Sequence, residues 1–547
     1  MPPTAAAAAD RPRAAAYIVW LGLTNLPFVL CHPSGPLVTH ELSRSLAISA
    51  VLFMLPGLPL VALLQRAGWL RRWHVSWVLL ASLAVLIAGV VSLRVSGQPV
   101  AAGQPWNITW LVCNLGWLAV WLTKSPLPEL ASVPHWRTVG LPAFCSAYLL
   151  FFLGATWIVP PQGDHDLDLQ GTAHALVTEW KPGYPTARSY YYLAHPPLMH
   201  FFVAGSFLYF GELDGVAVYN PRSASALPAD TFFDQYSAEP FLLETRTPNL
   251  FLSAATIALL ALWLVRRTGR RAVGLLLALA YATLPEIFVR SSYGGYYPIT
   301  QFFALQMLLE AEHWELDTPR SRGRAWLTGA LAAWANHKLV LLPIAMGTWR
   351  LLSLPLRDGV SHMLRHLFHP VIVGFVIGTF TFWAYGCWVS PLDFWNDHIH
   401  HHIVDRITHH NARGLDMDAY QTLSGLWLEL LRDTSYLFLP IGLAALGASL
   451  LQRRHGERLS VWKQWPGLLA TWFALSALAF SAIDWKQTKH LASLLVAVTL
   501  GWGVAVARGR ISARLTLVLA ALIVVINLLA LSTLADDFSA LVKKPEW

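Results

Sequence analysis

Charge is what this 547-residue chain has least of: Asp, Glu, Lys and Arg together make up 13% of it, about half the ~25% of an ordinary soluble protein. So small a supply cannot coat the surfaces of several water-exposed domains, and it excludes a disordered chain, which is rich in charge and poor in apolar residues. Cysteine is scarcer still. Cys31, Cys113, Cys145 and Cys387 lie far apart and form no CxxC or Cys/His spacing, which excludes a disulfide-stapled secreted scaffold. Beyond the short alanine run at the start there is no low-complexity tract and no fixed-period repeat, which sets collagen aside.

What fills the chain is apolar: 55% hydrophobic residues, gathered into blocks of about twenty, the length needed to cross a bilayer as a helix. The fold class expected is an all-α, polytopic transmembrane helical bundle of about 13–15 spans, with helices lying at the membrane surface. The windows run over 14–31, 44–65, 75–94, 106–123, 138–159, 247–266, 272–290, 298–312, 370–390, 434–452, 464–483, 488–506 and 512–533. The stretch 325–353 has His337 and Lys338 at its middle and reads as two short helices meeting at a polar break, since it is too short for two full spans. The beginning, Met1 to Arg13, resembles a signal peptide in charge, but with so many later spans an uncleaved first helix is the simpler reading.

The net charge of +8 would suit a nucleic-acid partner if the cations were pooled, but they fall in the short gaps between apolar blocks and read as topology. With the N-terminus inside, the clusters at Arg66, Arg71 and Arg72, at Arg266, Arg267, Arg270 and Arg271, at Arg320, Arg322 and Arg324, at Arg453, Arg454 and Arg458, and at Arg508, Arg510 and Arg514 all land on one side. The two long polar segments, 160–246 and 391–433, then face the other. In the first of them 198–210 is too short to span and suits an interfacial helix. The 26 tryptophans fit membrane interfaces.

The chemistry is therefore sought on the side opposite the arginines. Asp164, Asp166 and Asp168 alternate just after the fifth window, an acidic group that suits a general base, a cation site, or a solvated turn with a helix cap. Tyr190-Tyr191-Tyr192-Leu193-Ala194-His195-Pro196-Pro197 follows, a stiff aromatic turn that positions a ligand or anchors the chain at the interface. Arg246, Lys486 and Lys489 stand at outer ends of spans and Lys338 at the break, against the bias that keeps cations inside. Phosphate binding accounts for them, and snorkelling is the alternative for Lys489. In Asn396-Asp397-His398-Ile399-His400-His401-His402 and on to Asp405, Arg406, His409 and His410, His398 and His402 have the i, i+4 spacing of a metal pair or of a plain amphipathic surface.

This order of motifs resembles the GT-C superfamily of membrane glycosyltransferases, over about residues 138–533: the acidic motif beyond a span, the aromatic turn ending in Pro-Pro-Leu, Arg246-Thr247-Pro248, Asn336-His337-Lys338 and Trp485-Lys486-Gln487-Thr488-Lys489-His490. It is most similar to bacterial protein O-mannosyltransferases and lipid A aminoarabinose transferases. The resemblance implies an enzyme, an inverting hexosyl- or pentosyltransferase, that moves a sugar from a polyprenyl-phosphate donor to a lipid, glycan or protein acceptor. It implies Asp166 or Asp164 as the catalytic carboxylate, and Arg246, Lys338, Lys486 and Lys489 as donor-phosphate ligands. His195, Tyr192, His337 and Arg406 would position substrate. A divalent metal, if used, would fall to Asp164, Asp166, His398 and His402. The relatives carry Asp-Glu where this chain has Asp164-His165-Asp166, and their further acidic residue has no match in Ser291–Tyr297. The expected setting is the plasma (inner) membrane, multi-pass, with the site facing the periplasm or exterior. Residues 1–137 form a four-span extension, 138–533 the transferase domain and 534–547 a tail. The competing readings are a secondary transporter and a lipid-linked oligosaccharide ligase or polymerase, which differs in its donor.

Overall fold

A computed structural model describes residues 5–30, 41–70, 73–96, 104–128, 135–159, 166, 168–179, 181–182, 191–210, 242–313, 322–353, 368–404, 423–451, 464–482 and 488–541. The described residues are overwhelmingly helical. In chain order the helices are α1 (Ala5–Leu30), α2 (Glu41–Phe53), α3 (Gly57–Arg66), α4 (Val75–Val95), α5 (Gln104–Leu122), α6 (Leu141–Leu153), α7 (Asp168–Glu179), α8 (Leu198–Phe210), α9 (Leu242–Thr268), α10 (Arg271–Ala282), α11 (Pro285–Ser292), α12 (Tyr297–Glu312), α13 (Arg322–Ala335), α14 (Leu341–Ser353), α15 (Pro370–Val389), α16 (Leu423–Asp433), α17 (Phe438–Leu450), α18 (Trp465–Ala482), α19 (Leu494–Ala507) and α20 (Ala513–Leu541). Among the described residues eight helical segments are long and apolar enough to cross a membrane, or up to ten if each of two bent pairs counts as one span. The protein is a multi-pass helical bundle.

Every expected window meets a helix, and among the described residues breaks in the chain divide some of the windows. The window 272–290 divides at Thr283-Leu284, where α10 and α11 meet at 69° and Pro285 starts the second limb. The window 434–452 becomes α17, joined at 96° to α16. The break inside 325–353 falls at Asn336, whose extended backbone ends α13 and whose side chain accepts the Lys338 N–H to start a 3-10 turn, His337–Val340, as a capping side chain does.

Helix α9 lies at the centre, with most of its length buried against α2, α6, α8, α10, α12 and α19. Small residues bring α13 and α15 together: a Cβ at Gly374 would overlap the backbone of Trp326, and one at Gly329 that of Val371, close backbone approach being how membrane helices pack without a hydrophobic driving force. Helix α8 packs inside the bundle. Its Met199, Phe202, Val203 and Phe207 are buried among α2, α5, α7 and α9, because a helix apolar on all sides has no polar face to offer water.

The arginine clusters that are described converge. Arg324 and His74 meet Glu310 (2.6 and 3.6 Å), Arg267 and the Trp263 indole meet Glu312 (3.5 and 2.6 Å), and Arg508 and Arg510 donate to the carbonyls of Ser449 and Leu451. These residues form one end of the bundle. Asp166, His195, Arg246, Tyr293, Lys338 and His490 gather at the opposite ends of the same helices.

Candidate functional site

Of the side chains singled out above, Asp164, Tyr190, Asp405, Arg406, His409, His410 and Lys486 lie outside the described residues. The others fall into three linked groups. The first is an ion pair. Past α6 the chain takes a π-helical turn, Gly154–Ile158, and its end leaves carbonyls without helical partners. Arg246, in the first turns of α9, donates from Nη1 to the carbonyls of Ala155 (2.6 Å) and Val159 (2.8 Å). Its Nη2 and Nε reach Asp166 Oδ2 (2.8 Å) and Oδ1 (3.3 Å), the fork geometry of an arginine on a carboxylate. Both side chains are essentially unexposed, at 1% and 0%. Gly294 N–H also donates to Asp166 Oδ1 (2.5 Å), and a Cβ at Gly294 would stand 2.7 Å from that oxygen, so this close approach requires glycine.

The segment Tyr293-Gly294-Gly295-Tyr296-Tyr297 joins this pair to everything else. Arg290 is held by Glu286 one turn back (3.0 Å) and donates to the Tyr293 hydroxyl (2.7 Å). The Tyr297 ring has the Arg290 guanidinium at 5.6 Å and Lys338 Nζ at 5.5 Å, both within cation–π range. The Tyr296 hydroxyl bonds His200 Nε2 (2.7 Å) and its ring lies 4.2 Å from that of His195.

The second group is a pocket where the break between α13 and α14 meets the turn ahead of α19. Tyr297, Thr300, Gln301, Asn336, Lys338, Lys489, His490, Ala492 and Ser493 line it. Lys338 Nζ is 2.7 Å from His490 Nδ1, and the Asn336 amide donates to the Thr300 hydroxyl (2.8 Å). Lys489 and His490 belong to a short 3-10 turn, Thr488–His490. Asp433, at the end of α16, hydrogen-bonds Thr488; burial and then the neighbouring Glu286 push its carboxyl up to about 6.

The third group is histidine. His195, from the Pro-Pro turn, stacks on His337 (5.4 Å between centroids). His402 packs on both, at 4.9 and 5.4 Å, and His398 stands 5.7 Å from His337. The segment Trp395–Val404 that carries the last two is π-helical, and it docks on the aromatic turn. Asp393 and Asp397 accept the N–H groups of Tyr191 and Leu193, each at 3.3 Å, and His398 Nδ1 donates to the Ala194 carbonyl (3.3 Å). Burial pushes His398 down to about 4 against the pull of that carbonyl. Tyr192 stands beside His195 and His200, at 6.2 and 5.7 Å.

The structure thus brings Lys338 to Lys489, His195 to His337 and Tyr192, and Arg246 to Asp166. Of the residues a divalent metal would use, Asp164 lies outside the described residues and Asp166 is held by Arg246 and Gly294; among the described residues no three His, Cys, Asp or Glu side chains are grouped so as to hold a metal ion. Sequence reasoning missed Arg290, Glu286 and Tyr297. Arg290 carried the same signal as Arg246, a cation at the outer end of a predicted span, but it stood at the edge of a window counted as membrane.

No family model matches the chain, and no curated protein does. Among solved structures, the chain is similar to the crystal structure of ArnT from Cupriavidus metallidurans bound to undecaprenyl phosphate, at 14% identity and a TM-score of 0.48, over 68% of this chain and 60% of that one. The likeness spans less than two thirds of ArnT, and at that level it assigns neither a family nor an activity.

Proposed function

We propose that this protein is an integral membrane glycosyltransferase of GT-C type that moves a sugar from a polyprenyl-phosphate donor to a lipid, glycan or protein acceptor, at the end of the bundle opposite the arginines, which we take to be the periplasmic or exterior side of the plasma membrane. One observation carries the reading: Lys338 and Lys489, 151 residues apart, line one pocket, the first from the break between α13 and α14 and the second from the 3-10 turn ahead of α19. Cations are costly among membrane helices and mark substrate paths, and a phosphate is the ligand that ammonium groups meeting at helix breaks suit best. The pairing of the motifs with the sequence pattern of GT-C enzymes supports the same donor. Polar residues gathered at one end, with no internal repeat, favour the enzyme over a transporter.

In this reading Lys338 and Lys489 neutralise the phosphate as its bond to the anomeric carbon breaks. Asp166 takes the proton of the attacking hydroxyl, and Arg246 and the Gly294 amide fix its orientation. A hydroxyl reaches Asp166 by exchanging with one of those N–H donors. Single displacement inverts the anomeric centre.

The test is direct. In nanodiscs, Lys338→Met is expected to weaken binding of undecaprenyl phosphate by about tenfold or more, and Asp166→Asn to cut turnover of polyprenyl-phosphate sugars by ~10²-fold or more with binding retained. A wild-type protein that neither binds the lipid phosphate nor releases it from a sugar-linked donor would end the proposal.

A further inference from the structure

The N-terminal helices carry no residue of the proposed site, yet α2 touches both helices that build the cradle around Arg246. Arg44 forms an ion pair with Glu244, whose side chain is fully enclosed. The Ser45 hydroxyl bonds that of Thr247 (3.0 Å) and, on its other side, the Tyr148 hydroxyl, which Ser49 also meets at 3.1 Å. Two turns further along α2, Phe53 stacks on Phe251 at 4.5 Å with the rings 9° from parallel.

The register explains what this arrangement does. Glu244 and Thr247 are three residues apart and share the face of α9 turned to α2. Arg246 lies about 200° around the helix from Glu244 and so points away, to Ala155, Val159 and Asp166. Tyr148 sits on α6, two turns before the carbonyls that receive Arg246. Thus α2 grips α9 behind Arg246 and α6 behind its carbonyl partners, setting the distance between the two walls of the cradle.

From this geometry we infer that Arg44 and Ser45 are positioning residues for the Asp166–Arg246 pair, and that the N-terminal helices are a working part of the site. The inference rests on the proposed transferase reading for its activity readout, but not for its structural one. Removing Arg44 leaves the Glu244 carboxylate buried without its ion partner, and the head of α9 shifts to relieve it. A small misplacement at a reacting group is enough to slow chemistry while binding persists.

The experiment uses the full chain in nanodiscs, comparing Arg44→Gln, Arg44→Lys and Ser45→Ala. For folded Arg44→Gln, kcat on a polyprenyl-phosphate sugar is expected to fall by about tenfold or more with the donor KM little changed, and Arg44→Lys is expected to recover most of that loss. Ser45→Ala, which strands no charge, should lower kcat by roughly threefold and keeps the test alive if Arg44→Gln does not fold. Independently of turnover, amide exchange over residues 242–250 should quicken in Arg44→Gln. Unchanged kcat per folded molecule, a donor KM that rises with kcat intact, or exchange that stays at the wild-type rate would each overturn the inference. If the wild type transfers no sugar but exchange quickens as expected, the positioning stands and the transferase reading falls.

Discussion

At the end of the bundle that gathers the arginine clusters, Arg267 meets Glu312 with 41% of its side chain exposed, whereas at the opposite end Arg246 and Asp166 are 1% and 0% exposed. Each pairs an arginine with a carboxylate, yet the physical consequences differ. An exposed pair gains little, because water and salt screen it. An enclosed pair has given up its hydration, so its worth appears when one partner is removed. The first end holds exposed pairs of this kind beside half-buried ones such as Arg324 with Glu310. At the second, charge is built into the packing, where Arg44–Glu244, Arg246–Asp166 and Arg290–Glu286 surround the head of α9 and the Tyr293–Tyr297 turn.

The largest effect expected from this contrast comes from Arg246→Met, which strands Asp166 and should cost about 3–5 kcal/mol or abolish folding. The double variant Arg246→Met with Asp166→Leu should recover most of that stability, as measured by thermal unfolding in nanodiscs. If the single variant unfolds like wild type, the pair is not enclosed as described. A smaller effect belongs to Asp433. Its carboxyl is pushed up to about 6, by burial first and by Glu286 next, so the folded protein holds this proton more tightly than the unfolded chain does. That contribution to stability is complete below the ordinary aspartate range and is lost as pH rises through about 6. Asp433→Asn, always neutral, should therefore raise Tm by roughly 2 °C above pH 7 and leave it unchanged near pH 4. A gain that does not depend on pH would break the explanation. Least of all is expected from Arg267→Gln, within about 0.5 kcal/mol of wild type; a larger loss would erase the distinction between the two ends.

Much of this architecture is legible in the sequence, and the reason is local. Apolar length marks the spans, and Asn336-His337-Lys338 marks the break because a capping side chain, a histidine and a lysine inside an apolar stretch have few other uses. The character of α8 was also there to be read: Leu-Met-His-Phe-Phe-Val-Ala-Gly-Ser-Phe-Leu-Tyr-Phe has no polar stripe and so belongs inside. What a single sequence withholds is which distant ends meet. Asp166 and Arg246 are 80 residues apart, and their pairing depends on α6 packing along α9. The histidines come from three segments, and their i, i+4 spacing within one of them pointed toward a metal, whereas the structure uses His398 to hold Ala194 and sets His402 against His195 and His337.

The break at Asn336 also fixes a depth. Helix α13 has 14 residues and, at 1.5 Å per residue, rises about 21 Å from its arginine-bearing start, against a hydrocarbon layer of ~30 Å. Lys338 stands three residues beyond the end of that helix, so the path from the arginine-bearing start to the lysine is shorter than one uninterrupted span. A membrane-resident headgroup needs only to dip to reach it, but a partner arriving from water has to descend.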